Sequence, residues 1–169
     1  MPETSPLTIE LMLASDWPEI EAIYLEGIAT GNATFEESSP GWSSWDSSHL
    51  PFGRLVARNS DAIVGWAAVS PVSNRCVYGG VAEVSVYVAA SGRGKGVGRL
   101  LLRRLIEESE RNGIWTLQAG ILPENESSIA LHVKSGFREV GRRERLGKLK
   151  DRWRDVVLLE RRSTLVGTE

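Results

Sequence analysis

An α/β fold, with one sheet flanked by helices, is predicted by three features of this sequence. A helix is signalled near the N-terminus, from Asp16 to about Thr30. Apolar stretches suited to strands follow it, most plainly at Ala62 to Ser70 and Val81 to Val88. Between Val88 and the clearest helix of the chain, Val97 to Asn112, stands a glycine-rich turn.

Length and composition bound the class. At 169 residues the chain is expected to form one domain, burying roughly two thirds of its unfolded surface without staples. Hydrophobic residues at 41% and charged residues at 25% are ordinary for a soluble protein, and a net charge of -2 supplies no basic field for nucleic acid. Cys76 is the only cysteine, so no intramolecular disulfide can form. No secretory leader and no apolar run of about 18 residues is visible, so a cytoplasmic protein without a membrane partner is expected. His49, His132 and Cys76 are not spaced as metal ligands, and no metal is expected.

The elements follow in order. Asp16 with Glu19 reads as a capping box and Pro18 suits a first turn, while Ile20, Ile23, Tyr24, Gly27 and Ile28 share helical spacing. Ser38 to Ser48 reads as a loop with room for a short helix, packed down by Trp42 and Trp45. Arg54 to Arg58 and Ala62 to Ser70, joined by Asn59-Ser60-Asp61, predict an antiparallel pair. In Val81 to Val88 one face carries Ala82, Val84, Val86 and Val88, the other Val81, Glu83, Ser85 and Tyr87. The helix from Val97 buries Leu101, Leu102, Leu105 and Ile106 and stops at Gly113; Arg103 with Glu107 and Arg104 with Glu108 form exposed pairs. A strand from Trp115 to Leu122, a short helix from Glu126 to Ser135 ending at Gly136, and strands near Phe137 to Arg143 and Trp153 to Leu159 complete the chain.

The turn Arg93-Gly94-Lys95-Gly96-Val97-Gly98 lies between strand and helix. Free N–H groups and the positive end of the helix dipole suit a phosphate or pyrophosphate there, although a bare structural connector has the same look. The P-loop pattern fails because Gly96 follows Lys95, and the dinucleotide fingerprint fails because Val97, Arg99 and Leu101 take the third glycine position. What fits is R-x-x-G-x-G, read as Arg93, Gly96 and Gly98 after a valine-rich strand. This resembles the pyrophosphate signature of the GNAT acetyltransferases.

The resemblance runs from about Leu7 to Glu160 and includes Ala82 to Val88 and Asn125 to Phe137. Within that superfamily it is to the phosphinothricin and methionine sulfoximine N-acetyltransferase branch. It implies a single mixed, mostly antiparallel sheet flanked by helices, acetyl-CoA as co-substrate, and a homodimer. It further implies that Val86 and Val88 pair through their backbones with the pantetheine arm. Contacts would continue through Tyr87 and the turn Arg93, Gly94, Lys95, Gly96, Val97, Gly98 and Arg99. Asn125 would bind the pantetheine or the thioester end, with Ser128 and Lys134 along the cofactor.

Acyl transfer to an amine needs a neutral amine, a stabilised oxyanion and a proton for the thiolate. By spacing alone Glu83 reads as a solvated strand residue, whereas the resemblance implies the general base. His132 shares a helix face with Asn125 and Ser128, where it is either packed or positioned to protonate the thiolate or orient substrate. The resemblance places Arg75 and Tyr78 as a clamp for a substrate carboxylate and Phe35 as a pocket wall; as plain residues they are a loop cation and core. Gly147, Trp153 and Asp155 are similar to the branch's G-x-x-x-x-x-W-x-D segment, while Leu149 stands where relatives commonly carry lysine.

The expected activity is acetyl transfer to the amine of a small amino-acid-like substrate. Acetylation of proteins, peptides or polyamines is one alternative, and a non-catalytic acyl-CoA-binding module is another. A cysteine nucleophile at Cys76 lacks a supporting motif, and no G-x-S-x-G elbow exists.

Overall fold

In chain order the elements are β1 (Leu7–Leu11), α1 (Trp17–Thr30), α2 (Trp42–Ser48), β2 (Leu55–Asn59), β3 (Ala62–Pro71), β4 (Val81–Val88), α3 (Val97–Arg111), β5 (Thr116–Ile121), α4 (Glu126–Lys134), β6 (Arg138–Leu149) and β7 (Arg152–Arg162). The structure is a computed structural model and describes residues 6–169. The strands form one seven-stranded sheet of order β1-β2-β3-β4-β5-β7-β6. Among the described residues only β4 and β5 run parallel; every other neighbouring pair is antiparallel. This is the mixed, mostly antiparallel α/β sheet that the resemblance implied.

Strand alternation sorts the sheet's two faces. Leu55, Ala57, Ala67, Val69, Ala82 and Val84 join the core under α3, whereas Val56, Trp66, Ala68 and Tyr87 join a second core under α1 and α2. Leu101, Leu102 and Leu105 of α3 are fully buried, each contributing about 1.5–3 kcal/mol over an exposed leucine. The expected pairs on the outer face of α3 form, Arg104–Glu108 at 2.9 Å and Arg103–Glu107 at 3.6 Å. Trp45 is buried and stacks beside Trp42, so the serine-rich segment is packed down as its tryptophans suggested, and part of it is α2.

Three readings of the sequence change. The capping box expected from Asp16 and Glu19 does not form on α1. Asp16 instead accepts from the Leu13 N–H at 2.9 Å and pairs with Arg58 at 3.1 Å, and Glu19 accepts from the Ile63 N–H at 3.0 Å. The start of α1 lies against the β2–β3 hairpin, so both carboxylates meet tertiary donors. Secondly, β1 was not anticipated: it exists because its five residues pair antiparallel with β2. Thirdly, β6 and β7 run longer than expected, because pairing with each other and with β5 sustains residues whose own pattern is highly charged. Among the described residues, no helix is long and apolar enough to cross a membrane.

Candidate active site

The site begins where the sheet comes apart. β4 and β5 pair only over Val81–Glu83 and Thr116–Gln118, although β4 continues to Val88 and β5 to Ile121. The register of β4 on β3 is unbroken, and the Ala89 N–H donates to the Val64 carbonyl at 2.8 Å. By alternation, the odd-numbered residues of β4 bond to β3, and Val84, Val86 and Val88 turn their backbone groups into the gap. The Gly80 carbonyl, also even-numbered, accepts from Thr116 at 3.1 Å and confirms the direction. The gap is thus lined by an open strand edge able to pair with an extended ligand.

At the far end of β4 the glycine turn delivers the start of α3. Gly94 has φ 73 and Gly96, the residue capping the helix, φ 79, a backbone conformation that side chains with a Cβ resist. Arg93, Lys95 and Arg99 are exposed around it, whereas Val97 is buried in the core. Gly98 has a different role: a Cβ there would lie 3.0 Å from Leu131 of α4, so its absence lets α4 close over the start of α3. α1 braces the turn, with Glu26 accepting from the Ala90 N–H at 2.9 Å.

Beside the gap lies a cavity of about 210 Å³. Glu83, Ser85 and Tyr87 reach it from β4, Thr34 and Phe35 from the segment after α1, and Asn125, Ser128 and His132 from α4 and its approach. Glu83 sits at the last paired position before the strands part. Burial pushes its carboxyl above the usual carboxylate range, and the Gly120 N–H beside it opposes that shift. Because Gly120 has no side chain, the Glu83 carboxyl can sit 3.4 Å from where a Cβ would be.

His132 is 4% exposed, with its ring edge-on to Phe137. Its Nδ1 lies 2.7 Å from the Ser128 carbonyl, which can only accept, so Nδ1 carries the proton and Nε2 of the neutral ring carries a lone pair. Burial lowers the pKa of the ring, which favours this neutral form. The arrangement makes Nε2 an acceptor of a hydrogen bond from a thiol or an amine. Asn125 caps α4 through its side-chain oxygen, which accepts from the Ser128 N–H at 3.4 Å. Tyr87 stacks on Trp66 at 4.7 Å and presents its side chain to the cavity, while its neighbours Val86 and Val88 face the gap. Burial drives its hydroxyl pKa strongly upward.

The remaining candidates lie elsewhere. Arg75 and Tyr78 are exposed and do not line the cavity, though the loop carrying them leaves β3 beside Ser70, which does. The Arg75 guanidinium lies 5.6 Å above the Tyr78 ring. Lys134 is exposed on the last turn of α4, outside the cavity. Leu149 is buried and offers no polar group. Sequence reasoning missed Ser70, Thr34 and Gly120; Ser85 was legible on the Glu83 face but was given no role. Among the described residues no cluster of three or more potential metal ligands occurs.

The site thus joins a strand edge opened by a splayed parallel pair, a glycine turn at a helix start beyond one end of it and a half-buried carboxyl at the other, an arrangement suited to an extended, phosphate-bearing ligand held beside a proton acceptor. Residues 15–137 match the Acetyltransferase (GNAT) family, and the chain belongs to it. It is 33% identical to a phosphinothricin N-acetyltransferase of Alcaligenes faecalis over 91% of this chain and 81% of that one. It is 30% identical to an L-methionine sulfoximine/L-methionine sulfone acetyltransferase of Pseudomonas paraeruginosa, over 86% of this chain and 88% of the relative. Among solved structures it resembles a phosphinothricin acetyltransferase from Sinorhizobium meliloti in complex with AcCoA, with TM-score 0.86, 30% identity, and coverage of 96% of this chain and 91% of that one. The protein is an acetyl-CoA-dependent N-acetyltransferase.

Proposed function

We propose that the protein acetylates the primary amine of a small amino-acid-like molecule of the phosphinothricin, methionine sulfoximine or methionine sulfone type, with Glu83 as general base. The observation that carries this reading is the position of Glu83, a carboxyl of raised pKa facing a small cavity at the point where β4 and β5 part. The relatives named for such substrates support the substrate class. The residues present fit acetyl-CoA: the edge of Val84, Val86 and Val88 suits the amide-bearing arm, and the turn from Arg93 to Arg99 suits its pyrophosphate. When bound, acetyl-CoA supplies an acetyl group activated as a thioester.

The side chains then divide the work. Glu83 takes the proton from the substrate ammonium, directly or through one water, so that the neutral amine can form its C–N bond as the thioester C–S bond breaks, the second amine proton passing to the departing sulfur. The Val86 N–H, directed into the gap, is our candidate for the oxyanion. His132 accepts a hydrogen bond at Nε2 and orients the amine or the departing thiol. Asn125, with its carbonyl oxygen engaged in capping, presents its amide nitrogen to the thioester end. Phe35 walls the side-chain end of the cavity, and Arg75 with Tyr78, outside the cavity on the loop that leaves β3 beside Ser70, is our candidate for the substrate carboxylate. We further propose a homodimer located in the cytoplasm.

A thiol-release screen with acetyl-CoA tests this against amino acids, methionine sulfone, methionine sulfoximine, phosphinothricin, polyamines and peptides. Turnover of the amino-acid analogues is expected. Preference for peptides or polyamines would replace the substrate class, and CoA binding without turnover of any amine would replace the enzyme with a binding module.

A further inference from the structure

We propose that Arg154 on β7 is a positioning residue that latches the Thr34–Phe35 wall of the cavity to the β6–β7 hairpin, and so restricts which amines are accepted. The inference rests on reading the cavity as the amine pocket. The Arg154 side chain is 14% exposed and reaches three places. One nitrogen donates to the Gly31 carbonyl at 2.9 Å; the other donates to Asn32 Oδ1 at 2.7 Å and Glu124 Oε2 at 3.1 Å. Gly31 and Asn32 lead directly into Ala33, Thr34 and Phe35, and Glu124 precedes Asn125, all but the tethered residues themselves lining the cavity. One guanidinium therefore ties its two sides together. The tethered segment has no helix or strand between the end of α1 and the start of α2, so it depends on such contacts for its shape.

The same hairpin seats the wall a second time. A Cβ on Gly147 would lie 2.7 Å from two carbons of the Phe35 ring and 3.2 Å from a third. Phe35 lines the cavity and Gly147 does not, so the ring is interposed between them. Asp155 shapes the strand around this seat: it accepts from the Arg145 N–H at 2.8 Å and from Arg142 at 2.7 Å, where the β6–β7 register breaks between Arg143 and Gly147. Lysine at 154 would keep the charge, but one ammonium cannot reproduce a planar fork spanning three acceptors.

The test compares wild type with Arg154→Met, Arg154→Lys, Gly147→Ala and Phe35→Ala. Amide hydrogen exchange over residues 31–36 is expected to accelerate in Arg154→Met while β4 and α3 keep their protection. The KM for the amine should rise about tenfold, as for a displaced positioning group, with CoA affinity unchanged; Arg154→Lys should not restore either property. Gly147→Ala should alter the ranking of amines by side-chain size in wild type and have no such effect in a Phe35→Ala background, because the ring it displaces is gone. Unchanged exchange over 31–36, an unmoved amine KM, restoration by lysine, or a Gly147→Ala effect that persists without the ring would each overturn the proposal. If Arg154→Met fails to fold, Asn32→Ala removes one arm of the latch and faces the same exchange test. The exchange comparison needs no substrate, so it decides the latch even if wild type acetylates no amino-acid-like amine, an outcome that would overturn the substrate class instead.

Discussion

Glu83→Gln separates the proposed base from everything else that β4 does. The substitution exchanges one carboxylate oxygen for an amide nitrogen, and the remaining oxygen still offers an acceptor to the Gly120 N–H. The strand edge is made by backbone groups of Val84, Val86 and Val88, so CoA affinity should not change. A positioned base contributes about 10²–10⁴-fold, and kcat near neutral pH is expected to fall about 10²-fold or more. Below the pKa of the substrate amine, its neutral fraction grows about tenfold per pH unit, so the deficit should narrow at alkaline pH as solvent performs the deprotonation. The acid side carries an independent signature. Only ionised Glu83 can accept a proton, and burial raises its pKa, so wild-type kcat/KM should decline with falling pH at a point above the usual carboxylate range. The glutamine variant should lack that limb. Thiol release measured from mildly acidic to alkaline pH, with calorimetry for CoA, reads all three quantities. An unchanged kcat at neutral pH, or a deficit constant into the alkaline range, would refute Glu83 as base.

Acetyl-CoA should raise the melting temperature of wild type, and Gly96→Val and Gly98→Leu should weaken CoA binding in calorimetry, the first through its φ of 79 and the second through Leu131 at 3.0 Å; equal affinities would remove the turn from the site. Arg75→Lys should raise the KM for an amino-acid analogue, converting that analogue's carboxylate to an amide should weaken wild type comparably, and the two losses should not multiply; full additivity would exclude Arg75 as the clamp. His132 has a folded pKa below its ordinary 6.5 because burial penalises the imidazolium, so its contribution to stability is present above 6.5 and is lost as pH falls through the folded value, the unfolded chain taking up the proton first. His49 shifts in the same direction, so His132→Gln should flatten the acid fall in melting temperature in part; an identical profile would show that His132 is not held neutral.

Much of this was legible locally. The strand β4, the turn and α3 announce themselves through period-two alternation, closely spaced glycines and a leucine stripe, because each signal reflects nearest-neighbour geometry. The same alternation placed Glu83 and Ser85 on one face before any fold was known. What lay beyond the sequence depends on partners distant in the chain. β1 is a strand because β2 accepts it, and Asp16 and Glu19 abandon the expected capping box because Leu13, Arg58 and Ile63 offer them donors. That β4 and β5 part just after Glu83 cannot be read from either strand alone, since each keeps its own extended pattern through the gap. His132 acquired its tautomer only when helix geometry set Nδ1 against the Ser128 carbonyl. Arg154, one arginine among many in a charged hairpin, carried no distinguishing signal; folding alone brought Gly31, Asn32 and Glu124 within its reach, because a guanidinium's role is decided by which acceptors surround it.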